Sequence, residues 1–106
     1  MDDHQFAALA DHALERIETA LEESGVDVDV ARKEGGVLEI EYRDGSRMVI
    51  NRHAAAREIW VAARSGGFHF RWDGERWRDT RAGRELFAAL SQLISAQSGQ
   101  PVVLRP

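Results

Sequence analysis

This sequence predicts a two-layer α+β sandwich: an antiparallel sheet of five to six strands with the N- and C-terminal helices packed on one face. Three observations predict it. Apolar residues recur at helical spacing near both ends of the chain. Between them, short runs alternate apolar and polar residues. Glycine or Asp-Gly closes most of those runs. Residues 1–106 read as one domain, with no repeat, low-complexity tract or linker to divide them.

The first helix runs from about Asp3 to Glu23. Asp2 and Gln5 have the spacing of a capping box. Phe6, Leu9, Ala10, Ala13, Leu14, Ile17, Ala20 and Leu21 form the apolar stripe, and Gly25 is the stop. Val26, Val28 and Val30 then alternate with Asp27 and Asp29, as in a half-buried strand. Gly35-Gly36 is a turn, after which Leu38, Ile40 and Tyr42 alternate with Glu39, Glu41 and Arg43. Asp44-Gly45 marks a hairpin. A turn with a glycine bulge, rather than a strict two-residue turn, sets Leu38, Ile40 and Tyr42 beside Met48 and Ile50 and keeps one face apolar.

His53 to Ala56 is a connection, Ile59 to Ala63 a strand, and Phe68, Phe70 and Trp72 the next strand, expected in the core. Asp73-Gly74 turns the chain, and Trp77 lies on the return. Asp79 or Thr80 is expected to cap a last helix with the stripe Leu86, Phe87, Leu90, Leu93 and Ile94, stopped by Gly99. The tail Pro101 to Leu104 is apolar enough to pack along the helices. Each helix must bury its stripe, which both do on one face of the sheet; the other face stays in water.

Composition narrows the chemistry. There is no cysteine, which excludes disulfides, thiolate metal sites and cysteine nucleophiles. No run approaches the ~18–20 apolar residues of a membrane span, and the acidic start Met1-Asp2-Asp3-His4 is unlike a secretory signal; a cytoplasmic protein is expected. No G-x-S-x-G, phosphate-loop or H-E-x-x-H pattern occurs. Net charge is −4, yet residues 1–45 carry thirteen acids against four bases. Such a surface attracts cations or basic proteins and repels nucleic acid, so no nucleic-acid partner is expected.

On the first helix, Asp11, Glu15, Glu18 and Glu22 fall within roughly 60° of each other at 100° per residue, with His4 in the same arc. None has a lysine or arginine four residues on, so no pair along the helix offsets the charge. Glu22 and Glu23 also sit where the helix dipole disfavours anions, and Asp27 and Asp29 follow on the adjoining strand. Carboxylates in this pattern bind hard or borderline cations (iron, manganese, magnesium, calcium) weakly and with little selectivity. A solvated acidic face with no ligand has the same pattern, and only geometry separates the two readings.

Trp60 alternates with Ile59 and Val61. If those two face the helices, Trp60 lies on the open sheet face near Asn51 and Arg52 and is a candidate docking anchor; the opposite register puts it in the core. His53 and His69 have no partner at metal-ligand spacing.

Leu9-Ala10-Asp11, Gly35-Gly36-Val37-Leu38, Asp44-Gly45-Ser46, Ile50-Asn51-Arg52, Ile59-Trp60-Val61-Ala62, Gly66-Gly67-Phe68-His69-Phe70 and Trp77 resemble, in order along nearly the whole chain, the bacterial frataxins (CyaY family). The resemblance implies the same α-β sandwich. It implies a non-enzymatic protein that binds ferrous and ferric iron weakly on a ridge comprising Glu18, Glu22, Glu23, Asp27 and Asp29, with Asp3 as a further candidate beside the helical Asp11 and Glu15. It also implies docking on the cysteine desulfurase and scaffold of iron–sulfur cluster assembly, through Glu18, Glu22, Asn51, Arg52 and Trp60, by a monomer able to oligomerise with iron. The alternatives are a metal-independent acidic protein-binding module and a ferroxidase or iron-storage protein.

Overall fold

The computed structural model describes residues 1–106. Helix α1 (Asp3–Ser24) opens with the capping box: the Gln5 amide donates to the Asp2 carboxylate and the Gln5 side chain accepts from the Asp2 amide. It closes on Gly25 at φ 73°, the left-handed cap that glycine adopts without penalty. Six strands follow: β1 (Val28–Lys33), β2 (Val37–Tyr42), β3 (Arg47–His53), β4 (Glu58–Ala63), β5 (Gly66–Trp72) and β6 (Trp77–Asp79), then α2 (Leu86–Ser98). The strands form one antiparallel meander in chain order.

The hairpin between β2 and β3 takes the bulged register, with Leu38 opposite Ile50 and Ile40 opposite Met48. Alternation thereby puts Leu38, Ile40, Tyr42, Met48, Ile50, Ile59, Val61 and Phe70 on one face, where they bury the stripes of both helices in a single core. The tail returns along α2: Ser95 Oγ bonds the Val102 carbonyl and amide, Ser91 Oγ accepts from Leu104 N, and Val102 and Leu104 are buried. No helix is long and apolar enough to cross a membrane.

Three details differ from the sequence reading. The first strand begins at Val28 rather than Val26, and Val26 is buried ahead of it. Of the Phe68, Phe70 and Trp72 trio only Phe70 is fully enclosed; the others are partly buried and pack against the margin of the core. The N-cap of α2 is Glu85, whose carboxylate accepts from Phe87 N and Ala88 N. Asp79 is instead turned into the loop before the helix, where it accepts from the backbone amides of Arg81, Ala82 and Arg84. Both are side-chain oxygens aimed at free amides, and local sequence does not rank them.

Candidate metal and docking sites

Helix α1 presents Asp11, Glu15, Glu18 and Glu22 along one side, away from its buried stripe. The fold brings cations that the helix itself lacks. Arg52 from β3 reaches Asp11, Arg57 from the β3–β4 turn reaches Asp3, and Arg32 from β1 lies 3.4 Å from Glu18. Arg43, in the β2–β3 turn, pairs with Asp27 at 3.2 Å. Glu15, Glu22, Glu23 and Asp29 have no ion-pair partner. The expectation of an unneutralised row therefore holds along the helix and fails across the fold.

Asp29 lies opposite Glu41 and between Val28 and Val30, which pack toward the core. Its side chain consequently leaves the sheet on the face turned away from α1, and the strand carboxylates do not continue the helical row. No three acidic or histidine side chains converge as a closed metal site would require. What remains is an open edge, with Glu15 and Glu22 exposed on either side of the singly paired Glu18 and with Glu23 beside them.

Arg52 reaches Asp11 by a tight route. A Cβ on Gly36 would sit 2.5 Å from Arg52 Cγ, and Gly36 itself has φ 76°. Arg52 therefore lies on the helix-facing side of β3. Asn51 and Trp60, paired across β3 and β4, lie on the open face. Arg52 therefore does not share a surface with Asn51 and Trp60, because adjacent residues of a strand point to opposite sides.

Trp60 is half-buried on that open face, with Ile59 and Val61 in the core. His53 and His69 stack on its two sides, with centroids 3.8 and 4.5 Å away and ring planes within 9°. Its indole N–H donates to Glu58 Oε1 at 2.8 Å, and Glu58 Oε2 accepts from Arg71 Nε at 2.6 Å. Burial works to raise the Glu58 pKa, but the bonds from Trp60 and Arg71 outweigh it and hold the carboxyl below its usual range. Sequence reading missed this cluster. Glu58 is visible as the residue two before Trp60 on the same strand face, whereas His53 and His69 join it only through strand pairing. A cleft of about 560 Å³ between α1 and the β5–β6 hairpin, lined by Leu9, His12, Arg16, Trp72 and Arg76 among others, contains none of the predicted site residues.

A family model described as a frataxin-like domain matches residues 1–100. An iron-sulfur cluster assembly protein CyaY of Dechloromonas aromatica is 58% identical over 105 residues, covering 99% of this chain and 100% of that protein. The protein of the same name from Cupriavidus taiwanensis is 50% identical, covering 93% and 92%. Among solved structures, the frataxin of Psychromonas ingrahamii superposes with a TM-score of 0.91 at 33% identity over the whole of both chains. Trimeric frataxin of Saccharomyces cerevisiae, complexed with ferrous, shares the fold at a TM-score of 0.67 and 24% identity, covering 94% of this chain and 88% of that one. By sequence and by fold alike, the chain belongs to the frataxin-like family.

Proposed function

We propose that this protein is a non-enzymatic, iron-binding adaptor of iron–sulfur cluster assembly. It regulates the cysteine desulfurase by docking on the desulfurase and its scaffold in the cytoplasm, as a monomer able to oligomerise with iron. The observation that most supports the metal half of this reading is the exposed edge of α1, where Glu15, Glu22 and Glu23 have no cation partner. The assembly half rests on the near full-length likeness to proteins named for that process.

Iron is cargo here rather than a resident cofactor. Exposed carboxylates supply oxygen donors without a fixed geometry, so binding is weak, multi-site and open to other divalent cations. The paired carboxylates Asp3, Asp11, Glu18 and Asp27 remain available at a small cost, since exposed ion pairs contribute about 0.2–1 kcal/mol each. They set an order of filling: Glu15, Glu22 and Glu23 first, Glu18 and Asp11 later. Asp29 binds independently, from the other face.

The test is an NMR titration with ferrous iron under anaerobic conditions, on the parent and on a variant with Glu15, Glu18, Glu22 and Glu23 changed to Lys. Broadening should begin at Glu15, Glu22 and Glu23 in the parent and vanish in the variant, which should also lose desulfurase docking. Iron binding by the variant at parental strength sinks the ridge assignment. The absence of converging ligands favours one second reading, an acidic module that meets basic proteins without metal. Calorimetry with ferrous iron that shows no saturable heat, alongside intact desulfurase docking, selects it. Oxygen-dependent iron oxidation above the buffer rate would instead select the ferroxidase reading.

A further inference from the structure

Trp60 is restrained more closely than an exposed anchor requires. His53 covers one side of the indole and His69 the other, both nearly parallel to it. The indole N–H is tied to Glu58, a residue only 5% exposed. With both sides stacked and its N–H engaged, the indole offers a partner an edge. Swinging it into a partner's pocket would break two stacks and a charge-assisted hydrogen bond.

The charged groups around this stack come from every neighbouring strand. On β4, Glu58 faces it; on β5, Arg71 bonds Glu58, and His69 Nδ1 lies 3.4 Å from Glu58. On β6, Arg78 lies across from Arg71 and is engaged by Asp73. On β3, Asn51 is the uncharged neighbour opposite Trp60, and Arg52 leaves by the other face to Asp11. On β2, Glu39 is held by Lys33 and Arg47. The one carboxylate at the stack thus already has its guanidinium partner.

We propose that His53 and His69 are positioning residues for Trp60, clamping the indole edge-outward. The inference rests on the reading of Trp60 as a docking residue. The partner surface that fits is uncharged and apolar at its centre, with polar groups at its rim.

The experiment uses the full chain and the cysteine desulfurase–scaffold complex. Affinity is measured at pH 8 while the Trp60 indole N–H signal is followed by NMR. Three variants are compared with the parent: His53→Phe/His69→Phe, which keeps the stacking rings; His53→Ala/His69→Ala, which removes them; and Trp60→Ala. The Phe pair should bind like the parent, with the indole signal still sharp. The Ala pair should bind about tenfold more weakly, with the indole signal broadened by new mobility. A Phe pair that binds as weakly as the Ala pair, or an Ala pair that binds like the parent, overturns the proposal. Parental binding by Trp60→Ala removes the docking reading itself. The clamp is then judged by the indole signal alone: if it is unchanged in the Ala pair, the clamp is refuted too.

Discussion

On the proposed reading of α1 as an iron-binding edge, Arg52→Gln should strengthen ferrous iron binding there. The arginine crosses Gly36 to neutralise Asp11, one of the four carboxylates along the helix face. Two contributions change when it goes. The ion pair, with side chains 27% and 45% exposed, no longer competes with the metal, a gain of about 0.2–1 kcal/mol. A positive charge is also removed from the neighbourhood of a divalent ion; at a separation of roughly 8 Å in water that repulsion is about 1 kcal/mol, less once salt screens it. Together these give about 1–2 kcal/mol, or roughly a 5- to 30-fold gain in affinity. Anaerobic calorimetry at low ionic strength measures the gain, and NMR broadening at Asp11 locates it. Arg78→Gln, which frees Asp73 on the β5–β6 turn, serves as the control for a general change in net charge. Adding salt to about 0.5 M should shrink the effect, because the screening length falls toward a few ångströms. Unchanged affinity in Arg52→Gln, or an equal gain in Arg78→Gln, refutes the idea that arginines from the sheet hold the ridge below its full capacity.

Three further outcomes follow from single residues. Hydrogen bonds from the amides of Ala82, Arg81 and Arg84 and from the Arg84 guanidinium, against opposing burial, hold the Asp79 carboxyl at about 2, well below the usual carboxylate range. A depressed folded-state pKa contributes stability above the unfolded value that is lost as pH falls through the folded one. Asp79→Ala should therefore cost about 2–3 kcal/mol in urea unfolding at neutral pH and much less near pH 2; equal losses at both would exclude the carboxylate as the cause. Gly36→Ala should destabilise by about 1–2 kcal/mol for its left-handed backbone alone, and it should dislodge Arg52. Retention of the Arg52–Asp11 contact in a crystal of that variant would contradict the packing argument. Burial, partly opposed by Arg64, pushes the Tyr42 phenol up to about 12. Because that shift is upward, Tyr42 supports the fold below its unfolded value near 10 and ceases to as pH approaches 12. Reversible phenolate absorbance near pH 10 in the folded protein would disprove it.

The fold was legible because its signals are local. The Asp2–Gln5 box, the stripe from Phe6 to Leu21, and the alternation from Val37 to Ile50 around Asp44-Gly45 each depend on residues within one or two turns of chain. Even the bulged register could be chosen, since the alternative would have sent an apolar set into water. The same period of two separates Trp60 from Ile59 and Val61 without saying which side faces the helices, and it also separates Arg52 from Asn51 once it is applied strictly to neighbours. The α2 cap was not legible, because Asp79 and Glu85 are both oxygens beside free amides and the loop between them decides which amides each one meets.

The charge state of the acidic face depends on contacts of a different order. Arg52 and Asp11 are 41 residues apart in sequence, and Arg57 and Asp3 are 54 apart. Helix periodicity can group carboxylates, but it carries no information about what a sheet beneath them will supply. Gly36 held the one clue: a glycine at a turn that permits a long side chain to pass where a Cβ would block it. Counting acids along α1 therefore overstates the field a metal ion meets. The field is set by which carboxylates the arginines of β1, β3 and the turns leave alone, and those are Glu15, Glu22 and Glu23. On the proposed reading, affinity for cations on this face is thus a property of the sheet as much as of the helix, and substitutions in the sheet that touch no acid should change it.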